Sequence, residues 1–192
     1  MAVFELSARF QLKYLILPCM KRVVVTGGAG YIGSHTIIEL VNSGYSPIVL
    51  DNFSNAKREV LAGLKAILEF EPHVEEVDCT DRSALFSAFE RITSGETIDG
   101  IIHFAAFKAV GESTLMPLKY YSNNIASTVN ILEAAKRFDV SDFVFSSSCT
   151  VYGQPETIPV DESTPVRGAD SPYGYTKQVC ERIITDLSLI HI

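Results

Sequence analysis

The chain of 192 residues contains no tryptophan, few cysteines and no long apolar run, and these absences exclude several classes of protein. Its four cysteines form neither a C-x-x-C pair nor a metal-ligand spacing, so they are interpreted as reduced thiols of a cytoplasmic protein that binds no metal. The longest apolar run, residues 14–20, is far shorter than the roughly 20 residues that cross a bilayer. A membrane partner is therefore not expected.

Basic residues are also scarce, since 16 lysines and arginines face 23 acidic residues and leave a net charge of −7. This balance argues against nucleic acid as the main partner. A small anionic ligand stays compatible with it, because backbone N–H groups provide local positive potential. The apolar content of 47% is sufficient for one well-buried core.

Short apolar runs alternate with longer amphipathic segments along the chain. Strands are predicted at residues 22–26, 47–51, 74–78, 100–105 and 142–146. Helices are predicted at residues 31–42, 57–70, 83–93, 118–138 and 173–189. This repetition predicts an α/β fold with a doubly wound parallel sheet, Rossmann-like with three αβα layers. Residues 154–172 are predicted to form a long functional loop.

Both ends of the chain differ from this pattern. Residues 1–19 precede "MKRVVVTGG", which is typical of the start of a domain, so they are interpreted as an extension or artefact. Residues 187–192 arrive in mid-helix without a cap or turn and are interpreted as a non-native tail. The predicted domain is then 20–186, incomplete at its C-terminal end.

The stretch "TGGAGYIGSH" follows a predicted strand and opens a predicted helix, as a dinucleotide-binding fingerprint does. Its glycines fit G-x-G-x-x-G from Gly28 to Gly33 and also the wider spacing of Gly27, Gly30 and Gly33. Bare backbone amides at a helix N-terminus favour a pyrophosphate. No Gly-Lys-Ser/Thr follows, which excludes a P-loop.

Asp51 ends the next strand, where a carboxylate accepts hydrogen bonds from ribose hydroxyls and repels a 2′-phosphate. Asn52 and Asn55 follow it in place of a basic residue, so NAD is predicted rather than NADP. Asp78 ends the third strand and is equally compatible with contacting the adenine edge and with a turn.

Tyr173 and Lys177 are four residues apart and share a helix face. A lysine ammonium beside a phenol favours the phenolate, which would make Tyr173 a general base. A hydroxyl from the serine run 146–148 would hold the substrate oxygen. His103 is predicted to be a buried strand residue, and Cys149 is predicted to serve packing.

The segments "TGGAGYIGSH", "DNFSNA", "IIHFAAFKAVGES", "FVFSSSCTVYG" and "SPYGYTK" together resemble the extended short-chain dehydrogenase/reductases. Within that family they are similar to enzymes that epimerise UDP-sugars at C4. The resemblance implies catalytic roles for Tyr173, Lys177 and Ser148, and substrate contacts from Lys108, Ser148 and Tyr173. It implies NAD contacts from Gly27, Gly30, Tyr31, Ile32, Gly33, Asp51, Asn52, Phe53, Ser54, Asn55, Ala56, Asp78, Cys79, Phe104, Ala105, Ala106, Phe107, Lys108, Asn123, Ser148, Tyr173 and Lys177.

The same resemblance implies that hydride passes from sugar C4 to NAD and back to the other face, interconverting UDP-glucose and UDP-galactose in galactose metabolism. It further implies a homodimer and a small C-terminal substrate domain that this sequence lacks, so the chain as given is expected to be inactive. Ala106 and Cys149 stand where the family usually has glycine and alanine. A 4,6-dehydratase is disfavoured because Cys149 and Thr150 replace its Asp-Glu pair. Another UDP-sugar epimerase and a noncatalytic dinucleotide sensor remain as alternatives.

Overall fold

A five-stranded parallel sheet organises the chain, whose computed structural model describes residues 20–190. The strands are β1 (Arg22–Thr26), β2 (Ser46–Asp51), β3 (His73–Glu76), β4 (Gly100–His103) and β5 (Asp142–Phe145). They lie in the order β3-β2-β1-β4-β5, and all neighbouring pairs are parallel. The order reverses direction between β1 and β4, which is the switch point of a doubly wound fold. The predicted fold class is confirmed.

Within residues 20–190, seven α-helices connect these strands or follow them. They are α1 (Tyr31–Asn42), α2 (Glu59–Leu68), α3 (Arg82–Ile92), α4 (Val110–Leu115), α5 (Pro117–Tyr120), α6 (Ala126–Arg137) and α7 (Pro172–Ile190). A π-helical turn, Tyr121–Ile125, joins α5 to α6, and a 3₁₀ turn, Cys149–Tyr152, follows β5. Across residues 20–190, none of the helices combines the length and apolar character that crossing a bilayer requires.

Two kinds of boundary differ from the sequence prediction. The helix predicted at 118–138 is divided by the π-helical turn, with Pro117 at the first position of α5. Strands β3 and β4 each end two residues early, because their partners end there: Asp51 of β2 pairs with Glu76, and Thr26 of β1 pairs with His103.

The predicted ends of the domain stay predictions. Residues 1–19 and 191–192 lie outside the described residues, while residues 187–190 continue α7. Nothing in the fold distinguishes the backbone of 187–190 from the rest of that helix.

Apolar side chains cover both faces of the central strands. Val24 of β1 packs with Phe89 of α3 and Ile131 of α6 on one face. Val25 packs with Ile37 of α1 on the other face. Burial on both faces explains why these strands are uniformly apolar in sequence. The outer strand β5 is only half-buried, and 58% of Val144 is exposed.

The N-terminus of α3 provides a test of this local structure. The Asp81 side chain caps this helix by accepting a hydrogen bond from the Ala84 backbone N at 2.9 Å. The substitution Asp81→Ala is expected to lower the free energy of unfolding by about 1 kcal/mol, because the Ala84 backbone N–H loses its acceptor. Urea denaturation of the chain measures this value. Ser87→Ala, at an exposed position of the same helix, should leave stability unchanged, and an equal effect of both substitutions would contradict the cap.

Candidate cofactor and active site

The glycine-rich turn between β1 and α1 is shaped by its own backbone. Gly27 donates from its N–H to the Leu50 carbonyl at 2.7 Å and adopts a left-handed backbone with φ of 67°. A Cβ at Gly33 would lie 2.3 Å from the carbonyl oxygen of Gly27. Larger residues would therefore push α1 away from the ends of β1 and β2.

The N-terminus of α1 is open at this turn. Its cap residue, Gly30, has no side chain, and within residues 20–190 no side chain caps the first turn. The side chains of Tyr31 and Ile32 are largely exposed, at 77% and 52%. The free amide groups and the helix dipole together favour an anion at this end.

Asp51 connects the turn to the loop that follows β2. Its two carboxylate oxygens accept hydrogen bonds from the backbone N–H groups of Ala29, at 3.0 Å, and Phe53, at 2.8 Å. Asp51 is only 8% exposed, and it lines a cleft at the carboxyl ends of the strands. Each oxygen keeps lone-pair capacity for a further donor.

Most of the predicted cofactor contacts meet in that cleft. The predicted residues that line it are Gly27, Gly30, Asp51, Asn52, Ser54, Asn55, Ala56, Asp78, Cys79, Phe104, Ala105, Ala106, Phe107 and Asn123. Val77 and Ser127 also line it and were missed by the sequence analysis. Ser127 lies one helical turn after Asn123, so helical spacing could have indicated it.

The other predicted contacts lie around or outside the cleft. Phe53 packs against the core beside α1, with the Arg58 guanidinium 4.5 Å from its ring centroid. Gly33 is packed under the glycine turn, and Lys108 is exposed beyond Phe107. The structure therefore brings neither the Phe53 ring nor Gly33 to the cleft lining.

Asp78 organises the floor of the cleft. Its carboxylate accepts hydrogen bonds from the Asn52 side chain at 3.0 Å and from both the backbone N and hydroxyl of Thr80. Burial raises the pKa of Asp78, but these hydrogen bonds outweigh it and the net pKa is lowered. Burial, with the charges of Asp78 and Asp51, raises the pKa of the neighbouring Cys79 thiol to about 12, so this thiol stays neutral.

Tyr173 and Lys177 lie on one buried face of α7, as their spacing predicts, and are 8% and 4% exposed. The Lys177 Nζ donates to the Ser146 carbonyl at 2.7 Å and lies 4.6 Å from the Phe145 ring centroid. Burial lowers the pKa of Lys177 to about 8, against smaller raising effects of Cys180 and Glu181. By contrast, Tyr175 is 51% exposed and is not part of this face.

The turn after β5 brings Ser148 towards the start of α7. The Ser148 hydroxyl caps the 3₁₀ turn by accepting from the Thr150 backbone N at 3.3 Å and its hydroxyl at 2.9 Å. A Cβ at Gly174 would lie 3.1 Å from the Thr150 carbonyl, so the turn and the first turn of α7 are in contact. Cys149 is exposed, and its predicted packing role is therefore wrong.

The same turn is fixed to the long loop by Gln178 of α7. Its amide nitrogen donates to the Val151 carbonyl at 2.7 Å and also to the Arg167 carbonyl. One helical side chain therefore holds both the 3₁₀ turn and the long loop.

His103 is buried at the end of β4, as predicted, and links three elements. The Thr26 hydroxyl accepts from the Ala105 N–H at 3.2 Å and lies 2.7 Å from His103 Nδ1. His103 Nε2 lies 3.3 Å from the Thr128 hydroxyl, which donates to the Asn124 carbonyl at 2.8 Å. These bonds are all satisfied by a neutral imidazole with its proton on Nε2.

Asn124, in the π-helical turn, is a further residue that the sequence analysis missed. Its side-chain oxygen accepts from the Phe107 N–H at 2.9 Å, and its amide nitrogen donates to the Phe107 carbonyl at 3.0 Å and the Thr176 hydroxyl at 3.1 Å. Asn124 thus connects the cleft residue Phe107 to the helix that carries Tyr173. A conspicuous "NN" pair was the signal in the sequence.

The family model described as the NAD dependent epimerase/dehydratase family matches residues 23–189. The chain belongs to this family. Among its members, the UDP-glucose 4-epimerase of Bacillus subtilis is 50% identical over 165 residues, which cover 86% of this chain and 47% of that protein. The chain spans about half the length of the curated relatives it matches.

Solved structures of family members superpose closely on the described fold. The UDP-glucose 4-epimerase from Bifidobacterium longum, in complex with NAD⁺ and UDP, gives a TM-score of 0.83 at 40% identity, over 88% of this chain and 50% of that chain. The UDP-Glc/GlcNAc 4-epimerase of Campylobacter jejuni gives 0.80 at 37% identity, again over 88% and 50%. These likenesses confirm the family expected from the motifs.

The neutral state of His103 predicts how stability depends on pH. Burial and the charge of Lys177 lower the pKa of His103 to about 3, from an ordinary value of 6.5. Below pH 6.5 the unfolded chain therefore binds a proton that the folded chain does not, and this histidine makes unfolding more favourable by up to about 1.4 kcal/mol per pH unit. Urea denaturation at pH 7.5 and 5.0 measures the loss.

The variant His103→Gln is expected to be less stable at pH 7.5 but to lose less stability on acidification. His35→Gln serves as the control, since His35 is exposed on α1, and should keep the wild-type loss. An unchanged loss in His103→Gln would show that this histidine does not cause it.

Proposed function

We propose that this chain supplies the NAD-binding half of a UDP-sugar 4-epimerase that interconverts UDP-glucose and UDP-galactose. The observation that carries the proposal is the buried face of α7, which presents Tyr173 and Lys177 against the serine-rich end of β5. That face is joined through Asn124 to the cleft at the glycine turn. A noncatalytic dinucleotide sensor would not need such an acid–base pair.

The cleft fits NAD by the chemistry of its donors and acceptors. The uncapped amides of α1 would bind the pyrophosphate, and Asp51 would accept hydrogen bonds from the adenosine ribose. The predicted residues from Phe104 to Lys108, with Asn123, would line the nicotinamide half. In this chain Lys177 would contact the nicotinamide ribose.

The chemistry divides between the cofactor and the protein. When bound, NAD would accept the hydride from sugar C4 and return it to the opposite face. Tyr173 would take the proton of the 4-hydroxyl and give it back, while Ser148 would hold the same oxygen. Lys177, with its pKa lowered to about 8 by burial, would stabilise the phenolate form of Tyr173 as a nearby positive charge.

Two observations bear on the alternatives within the family. Cys149 and Thr150 stand where a dehydratase would need an acidic pair, so elimination of water is disfavoured. A structural relative named a UDP-Glc/GlcNAc 4-epimerase shows that one such protein acts on N-acetylated sugars as well. We therefore include UDP-N-acetylhexosamines as second candidate substrates. Separately, we propose that the full-length protein is a cytoplasmic homodimer.

The base assignment is tested by Tyr173→Phe in the full-length parent protein. Turnover of UDP-galactose to UDP-glucose is expected to fall by about 10²- to 10⁴-fold, because the proton acceptor is lost while the ring stays in place. A coupled assay for UDP-glucose measures the rate. Tyr175→Phe, at the exposed neighbour, is the matched control and should retain activity.

Undiminished turnover in Tyr173→Phe would remove the assigned base. Release of a 4-keto-6-deoxy sugar by the wild type would identify a dehydratase instead.

The cofactor assignment is tested by Asp51→Asn in the same protein. Loss of the carboxylate is expected to weaken NAD binding by about tenfold or more, since hydrogen bonds to a charged group contribute about 1.5–3 kcal/mol. Removal of the charge should at the same time narrow the preference for NAD over NADP. Calorimetric titration with both cofactors measures the two dissociation constants, and their ratio gives the preference for NAD over NADP.

Asp78→Asn is the control for this substitution, because that carboxylate already accepts from Thr80 and Asn52. It should leave the ratio near the wild-type value. Tighter binding of NADP than NAD by the wild type would overturn the role given to Asp51.

A further inference from the structure

A fully buried tyrosine lies directly behind the proposed base. Tyr120, the last residue of α5, is 0% exposed. Its ring meets the Tyr173 ring edge-on, with the two centroids 6.5 Å apart. Because buried rings are close-packed, the orientation of Tyr120 limits the positions that the Tyr173 ring can adopt.

The hydroxyl of Tyr120 is held by a carboxylate, and it also contacts the backbone of Ala109. The Tyr120 hydroxyl donates to Glu112 Oε2 at 2.7 Å, and the Lys119 Nζ donates to Glu112 Oε1 at 2.8 Å. Glu112 belongs to α4, so a single side chain connects α4 to two consecutive residues of α5. The hydrogen bonds from Lys119 and Tyr120 lower the pKa of Glu112 and keep it ionised.

The two residues held by Glu112 also flank a residue of the cofactor cleft. The Lys119 Nζ lies 4.5 Å from the ring centroid of Phe107, and the Tyr120 ring centroid lies 5.8 Å from it. Phe107 lines the cleft, and Asn124 holds its backbone on both sides. Glu112 is therefore connected to the cleft wall and to the proposed base, although it does not line the cleft itself.

We propose that Glu112 is a positioning residue for the epimerase reaction, acting through Tyr120 and Lys119 to fix the Tyr173 ring relative to Phe107. This inference rests on the function proposed above. A displacement of about 1 Å in a reacting group is enough to lower a rate by about 10²-fold. Glu112 is thus expected to affect kcat more than KM.

The experiment compares Glu112→Ala, Glu112→Gln and Tyr120→Phe in the full-length parent protein, assayed with UDP-galactose. Glu112→Ala should lower kcat by about 10- to 100-fold and change KM by less than about threefold. Glu112→Gln should recover most of the loss, because its amide oxygen still accepts from the Tyr120 hydroxyl. Tyr120→Phe should resemble Glu112→Ala, and the double variant should be no slower than the slower single variant.

Glu133→Ala provides the matched control, since it also removes a glutamate from an ion pair, with Arg82 at 2.6 Å on the outer surface. It should leave kcat unchanged. An unchanged kcat in Glu112→Ala, or equal losses in the Ala, Gln and Glu133 variants, would overturn the positioning role.

A second measurement does not depend on turnover. Tetranitromethane nitrates accessible tyrosines, and mass spectrometry measures the rate at Tyr173, which is 8% exposed in the wild type. Glu112→Ala should raise this rate several-fold and Glu133→Ala should not. An unchanged nitration rate in Glu112→Ala overturns the positioning of the Tyr173 ring. A wild type that is inactive on UDP-sugars overturns the proposed function, and with it the role of Glu112 in that reaction, whatever the nitration rate.

Discussion

The side chain of Asn124 is the point on which both halves of the site depend. It is 2% exposed and forms a pair of hydrogen bonds with the backbone of Phe107 and a third with Thr176 of α7. The backbone carbonyl of Asn124 accepts from the Thr128 hydroxyl, and that hydroxyl lies 3.3 Å from Nε2 of His103 in the central sheet. Removing any member of this network leaves buried polar groups without partners, at about 1–3 kcal/mol for each group. The cleft and α7 are therefore positioned relative to each other by polar contacts rather than by apolar packing alone.

The sequence predicted well what depends on local pattern. Nearly uniform apolar runs located β1, β2 and β4, because strands covered on both faces have no polar side to show. The outer strand β3 reads HVEE and does not follow this pattern. The four-residue spacing of Tyr173 and Lys177 correctly placed both on one face of α7. The prediction that Asp51 lies at the cleft also succeeded, since carboxyl ends of parallel strands meet at one edge of the sheet.

The residues that could not be predicted from the sequence lie in irregular turns or make contacts between separate helices. The π-helical turn at 121–125 interrupts a segment whose apolar spacing is typical of one long helix, so the contacts of the buried Asn124 had no periodic signal. Glu112 and Tyr120 are eight residues apart on two separate helices, and nothing in their spacing indicates contact. The glycine turn was located correctly, but the structure adds that Gly33 is required by the packing of α1 on Gly27. Only part of the glycine pattern faces the cleft.

The two hydrogen bonds of Gln178 hold the chain at two points that are separated by residues 152–166. Val151, in the 3₁₀ turn, and Arg167, in the long loop, are both bound to α7. Doubling the length of a flexible loop costs only about 0.6 kcal/mol in closure entropy. The segment between these two anchors can therefore lengthen at little cost in stability, while the anchors stay bound to the helix that carries Tyr173.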